Sequence, residues 1–135
     1  MKSNTPKISV VMSCYNRAEY SKLAIESILN QTYKDFEFII IDDCSTDNTA
    51  DVIQEYADKD ERIVFIKNKQ NMDYNYNLRK GFEIAKGEYI ARMDDDDISM
   101  PERFEKQVEY LDKHPEITVL GTFIHRQRVP SRKRQ

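Results

Sequence analysis

The sequence predicts an α/β fold, a mostly parallel open sheet with helices on both faces, and two observations carry that prediction. Runs rich in β-branched and aromatic residues alternate along the chain with segments of helical period, which is the order that successive βαβ units produce. Polar and acidic residues also follow three of the strand runs, at Cys14 to Arg17, at Asp42 and Asp43, and at Asp94 to Asp97. In a right-handed parallel sheet these three ends fall along one edge, where open α/β sheets gather their ligands.

Residues 8–12 (ISVVM) are the first buried strand. Tyr20, Leu23, Ala24, Ser27, Ile28 and Gln31 then recur at helical spacing, and their apolar members form one stripe. Residues 36–41 (FEFIII) are the second strand, ending at Asp42 and Asp43. Residues 45–49 (STDNT) supply N-cap chemistry for a helix that turns Val52, Ile53, Tyr56 and Ala57 inward. Residues 62–66 (RIVFI) are the third strand. A polar stretch through Asn77 leads to a helix with Leu78, Phe82 and Ala85 on one face, and Gly87 stands where a C-terminal glycine cap is expected. Residues 88–93 (EYIARM) form the fourth strand and deliver the aspartate run. Pro101 suits the first turn of another helix, with Phe104, Val108 and Leu111 as its stripe. Lys113 and His114 suit the negative end of its dipole, and Pro115 stops it. Residues 117–124 are the expected fifth strand.

At 135 residues the chain predicts one domain over residues 1–124, followed by a basic, disordered tail over residues 125–135. The tail holds five of the 21 basic residues and no acidic one, so the body is more acidic than the net charge of −3 suggests. Without aromatics or an amphipathic period, the tail predicts no nucleic-acid partner. A hydrophobic content of 39% with no long apolar run predicts no transmembrane segment, and the first residues lack the pattern of a signal peptide. The two cysteines, Cys14 and Cys44, are too few for a disulfide framework and read as reduced cytosolic packing thiols. Three glycines rule out both G-x-G-x-x-G and a phosphate-binding Walker loop.

Asp94, Asp95, Asp96 and Asp97 are the most informative residues. Close carboxylates repel by about 4 kcal/mol per pair at an effective dielectric near 20, so a fold that keeps four together needs an offset. A hard divalent cation, Mg²⁺ or Mn²⁺, supplies one, because it takes oxygen ligands and shares them with substrate phosphates. The bland alternative is a solvated acidic loop. Asp42 and Asp43 could likewise only start a turn, and Asn16 only cap a helix. With all three at one sheet edge, the expectation is a nucleotide-sized cleft.

Residues 8–17 (ISVVMSCYNR), 28–33 (ILNQTY), 36–43 with 45–49, 85–90 (AKGEYI) and 91–103 (ARMDDDDISMPER), in this order and spacing, resemble the amino-terminal half of a family 2 glycosyltransferase with the GT-A fold. The likeness extends over residues 7–124. It implies a Rossmann-like half that binds a nucleotide-sugar donor, commonly a UDP-sugar. It further implies inverting transfer to a hydroxyl of a glycan or lipid-linked acceptor, as in polysaccharide biosynthesis. The implied place is the cytoplasm or the inner face of the membrane. Carried over residue by residue, Tyr15 and Asn16 match the loop beside the nucleotide, and Asp43 the carboxylate that reads the uracil edge, with Asp42 its neighbour. Asp94, Asp95 and Asp96 overlay the family's D-x-D motif. Asp96 corresponds to the direct metal ligand, with Asp94 as the second metal candidate. Asp94 or Asp95 corresponds to the ribose or water-mediated partner, and Asp97 to a supporting or acceptor-side residue.

Two features depart from the family pattern. Relatives commonly place an arginine at the position of Leu78, next to Arg79 here. The family's general base lies in a second half beyond these residues, so no residue is assigned that role. A nucleotide-binding module without turnover is therefore the rival reading. A nucleotidyltransferase would need a glycine-rich, basic loop after the first strand, which Cys14 to Arg17 do not form. A sheet cut short would leave an edge that favours a homo-oligomer.

Overall fold

In a computed structural model of the protein, which describes residues 5–117 and Leu120, strands and helices alternate as expected. The order is β1 (Ile8–Cys14), α1 (Ala18–Leu29), β2 (Phe36–Asp42), α2 (Thr49–Lys59), β3 (Ile63–Lys67), α3 (Tyr74–Ile84), β4 (Tyr89–Asp94) and α4 (Arg103–Lys113). All pairings are parallel, and the strands lie in the order β3-β2-β1-β4. The sheet thus grows from β1 in both directions, and its carboxyl ends part at the switch between β1 and β4, the place such sheets offer a ligand. The expected fifth strand and the basic tail lie outside the described residues, apart from Ile117 and Leu120, which are in no element. Among the described residues no helix is long and apolar enough to cross a membrane.

β1 is buried along its whole length, as a central strand covered on both faces must be. On one face Val10, Met12 and Cys14 join Ile25 and Ile28 of α1, Phe38 and Ile40 of β2, Ile53 of α2 and Phe104 of α4. On the other, Val11, Ile39 and Ile41 meet Leu78 of α3. Each large apolar side chain fully buried in this way contributes about 1.5–3 kcal/mol relative to leaving it in water. The Phe36 and Phe104 rings meet edge to face at 5.7 Å, and the Arg62 guanidinium lies 4.3 Å over the Phe36 ring, closing the sheet end opposite the strand tips.

Three local expectations are corrected. The stripe of α1 is rotated: Ser21, Ala24, Ile25 and Ile28 are buried, whereas Tyr20 and Leu23 face solvent. Helix α3 starts at Tyr74, within the stretch read as polar connection, because the Asp73 carboxylate caps it by accepting from the Tyr76 N–H at 2.9 Å. Its inward face is Asn77, Leu78 and Gly81, with Phe82 exposed. Gly87 does not cap α3, which closes at Ala85, and among the described residues no glycine has positive φ. It is required for close approach instead: a Cβ there would lie 2.5 Å from the Ser9 backbone nitrogen. The Gly87 N–H donates to Ser9 Oγ at 2.7 Å, pinning the entry of β4 against β1.

Candidate functional site

The carboxyl ends of β1, β2 and β4 border a cleft of about 370 Å³ lined by Ser13, Tyr15, Arg17, Asp43, Asn71, Asp73, Tyr74 and Asp95. Each wall follows from where a strand stops.

After β1 the chain enters a loop in which Asn16 takes a left-handed φ of 49°. Asparagine tolerates that region, and its side chain holds the turn. Asn16 Oδ1 accepts from the Thr46 N–H at 2.8 Å, while its own N–H donates to Ser45 Oγ at 3.0 Å. Asn16 therefore binds the β1 loop to the β2 loop and does not line the cleft. Tyr15 and Arg17 do line it.

After β2 the two aspartates diverge. Asp42 is fully buried, and its carboxylate accepts from the Ser45 N–H at 3.0 Å and from the Ser45 hydroxyl, so it shapes the turn behind the cleft. Asp43 faces the cleft floor. Its Oδ1 accepts from the Met72 N–H at 2.7 Å and from Asn68 Nδ2 at 3.1 Å, and its Oδ2 from the Asp73 N–H at 3.2 Å. Burial alone would raise this carboxyl, but the donors of Met72, Asn68, Asn77 and Asp73 outweigh it and hold Asp43 below the ordinary carboxylate range. The network runs on: Asn68 Nδ2 also donates to Asn77 Oδ1 at 2.8 Å, and Asn77 Nδ2 to Ser13 Oγ at 3.1 Å. Four elements are thereby locked around one ionised group. Asp73, at φ 79° and ψ 162°, is held in a backbone region that side chains rarely adopt.

After β4 the aspartate run forms a tight turn, closed by the Asp97 N–H donating to the Asp94 carbonyl at 3.2 Å. The turn separates the four carboxylates into two sets. Asp94, Asp96 and Asp97 can each bring one oxygen within 4.8 Å of the others. Asp95 turns to the β1 loop instead, accepting from the Tyr15 N–H at 3.3 Å with Arg17 Nε 3.6 Å away. Burial, more than the charges of Asp96 and Asp94, raises the Asp95 carboxyl to about 6, although Tyr15 and Arg17 oppose the rise. Asp97, expected to stand behind the metal, thus shares the group with Asp94 and Asp96. A triad of carboxylate oxygens is the donor set that a hard divalent cation takes.

Tyr74 links the two sides. It reaches from the first turn of α3 to donate its hydroxyl to Asp94 Oδ1 at 2.6 Å, under the Arg92 guanidinium at 5.2 Å from the ring centre. Burial and then the Asp94 contact push the Tyr74 hydroxyl up to about 12, so it stays a donor at neutral pH. Tyr76, the neighbouring tyrosine, does not line the cleft. Leu78 remains a core residue and Arg79 is exposed. Cys14 and Cys44 are both free thiols, and burial drives the Cys14 thiol well above its usual range, away from nucleophilic use.

Ser13, Arg17, Asn68, Asn71 and Asn77 are residues of the site that sequence reading did not single out, beyond the mention of Arg17 in the β1 loop. Arg17, Asn68 and Asn71 carry only the local signal of following a strand, whereas Ser13 lies inside β1 and Asn77 inside α3. The pairing of Asn68 with Asp43 joins residues 25 apart in sequence and leaves no periodic trace.

The model of the family described as Glycosyl transferase family 2 matches residues 9–135. An uncharacterized glycosyltransferase of Methanocaldococcus jannaschii is 45% identical over 122 residues, covering 89% of this chain and 42% of the relative. The crystal structure of S. aureus TarS residues 1–349 in complex with UDP superposes with a TM-score of 0.73 at 26% identity, over 81% of this chain and 33% of that one. A mannosyltransferase of Pyrobaculum calidifontis, solved with GDP-Man and Mn²⁺, shares the fold at a TM-score of 0.72 and 20% identity, over 81% of this chain and 33% of that one. The chain spans about two fifths of the length of the curated relative.

Proposed function

The chain belongs to glycosyl transferase family 2, and we propose that its cleft binds the nucleotide of a UDP-sugar together with a divalent cation, as the donor half of an inverting transferase. The observation that carries this is an ionised, hydrogen-bonded Asp43 lining the same cleft as Asp95, whose neighbours Asp94, Asp96 and Asp97 bring their carboxylates together in the turn after β4. TarS, bound to UDP, supplies the analogy for the nucleotide.

In this reading Asp43 accepts the N–H of the uracil edge. Its own donors are already in place, so accepting one more bond costs little reorganisation. Asp95 holds the Tyr15 backbone and keeps Arg17 beside the cleft, which leaves a guanidinium for the diphosphate. Asp96, with Asp94 and Asp97, holds the cation. When bound, Mn²⁺ or Mg²⁺ would stabilise the negative charge that grows on the departing diphosphate more than it stabilises the intact donor. The acceptor hydroxyl, on a glycan or a lipid-linked glycan, loses its proton to a base that none of the described residues is assigned to be. Binding is thus the part of the reaction that these residues themselves account for.

Calorimetric titration of UDP, with and without Mn²⁺, tests the reading. The expected result is UDP binding strengthened by Mn²⁺, with the metal-dependent share abolished in Asp96→Ala. UDP binding of equal strength with and without metal, untouched by Asp96→Ala, would overturn it. Metal-dependent binding with neither transfer nor donor hydrolysis in a full-length relative would favour a module without turnover.

A further inference from the structure

We propose that Tyr74 is a positioning residue for the cation: its hydroxyl fixes the carboxylate of Asp94 so that one oxygen is tied and the other is presented to the metal. The inference rests on the donor-site reading above and deepens it. The Tyr74 hydroxyl donates to Asp94 Oδ1 at 2.6 Å, and Arg92 Nε approaches the same oxygen at 3.7 Å. Both neighbours address Oδ1, which leaves Oδ2 for a cation shared with Asp96 and Asp97. A carboxylate held this way keeps its rotamer before the ion arrives, and outer partners of metal ligands are worth a large factor in affinity for that reason.

The attachment of Tyr74 is itself rigid. It is the first residue of α3, directly after Asp73, whose N–H donates to Asp43 and whose carboxylate caps the helix. The segment that satisfies the base-side carboxylate, Asp43, therefore also carries the hydroxyl that orients the metal-side carboxylate, Asp94. The cation–π contact with Arg92 fixes the ring from above. The consequence is a short mechanical link between the two ends of the donor site. Removing the hydroxyl while keeping the ring isolates this role, because Tyr74→Phe preserves the packing under Arg92.

The test is titration of the full chain with Mn²⁺, followed by the electron paramagnetic resonance of the free ion, in the presence of UDP. Tyr74→Phe is expected to raise the Mn²⁺ dissociation constant about tenfold, with the thermal midpoint unchanged. Tyr110→Phe, on the distant α4, should match the unaltered chain. In an Asp94→Asn chain, already weakened, adding Tyr74→Phe should make no further difference. Unchanged Mn²⁺ affinity in Tyr74→Phe, or a further tenfold loss on top of Asp94→Asn, overturns the positioning role while leaving the donor-site reading intact. No metal-dependent binding by the unaltered chain would overturn both.

Discussion

Asp43 is buried, yet it is ionised, because donors from the β3–α3 connection and from α3 surround it. A carboxylate so placed couples stability to pH in a definite direction. Its folded value lies below its unfolded value, so its contribution is fully present above the ordinary carboxylate range near 4 and is lost as pH falls through the lower folded value. Asp43→Asn keeps the size but removes the charge and turns one acceptor into a donor facing either the Met72 or the Asp73 N–H. We expect it to cost about 2 kcal/mol at pH 7, and the gap from the unaltered chain to narrow as the solution is acidified below pH 4. Urea unfolding across a pH series measures both, and parallel curves for the two chains would remove the argument. The same substitution is expected to weaken UDP binding, since the remaining amide offers its N–H₂ where an acceptor is needed.

At the scale of elements, the aspartate turn is positioned by a clamp between the end of α1 and the start of α4. Gln31 is fully buried: its Nε2 donates to the Met100 carbonyl at 2.6 Å and to the Ser27 carbonyl at 3.1 Å, and its Oε1 accepts from the Phe104 N–H at 3.0 Å. The Thr32 N–H reaches the Pro101 carbonyl at 2.9 Å, and the Ser99 N–H reaches Ser27 Oγ at 3.0 Å. Gln31→Leu fills the space but leaves a helix-start N–H and a carbonyl unsatisfied in the core. A loss of about 2–4 kcal/mol in urea unfolding is expected, with weaker metal-dependent UDP binding because the strap from Asp97 to Pro101 loosens. A loss under about 1 kcal/mol would mean that water replaces the amide and that the clamp is dispensable. Much of this level was legible in the sequence. Strand runs announce themselves by composition, and the carboxylates at strand ends by position, because a parallel sheet sends all its carboxyl ends one way. Helix orientation was not: Tyr20, Leu23 and Phe82 are apolar yet exposed, while Ser21 and Gly81 are buried, since apolar character alone does not decide which face packs. Nor were Gln31's contacts with Met100 and Phe104, which join residues 69 and 73 apart.

For the molecule as a whole, the core and the carboxylate turn are separate structures. The apolar clusters hold side chains of all four strands and all four helices, apart from a few partly buried ones, and the Asp94 to Asp97 turn contributes none of them. Folding should therefore not require the metal, unlike small domains that metal binding itself folds. Ligand binding nevertheless feeds back on stability by mass action, because a cleft built from the tips of β1, β2 and β4 and the start of α3 exists only when these elements are assembled. At a hundredfold excess of ligand over its dissociation constant the gain is about 2.7 kcal/mol, on the order of 10 °C in the midpoint of a domain this size. Thermal unfolding should accordingly show no change when a chelator is added to the ligand-free chain, little change with Mn²⁺ alone, and a rise of several degrees with UDP and Mn²⁺ together that the chelator largely reverses. A chelator that lowers the midpoint of the ligand-free chain would show instead that the cation is part of the folded core, and the aspartate turn would then be a structural site before it is a donor site.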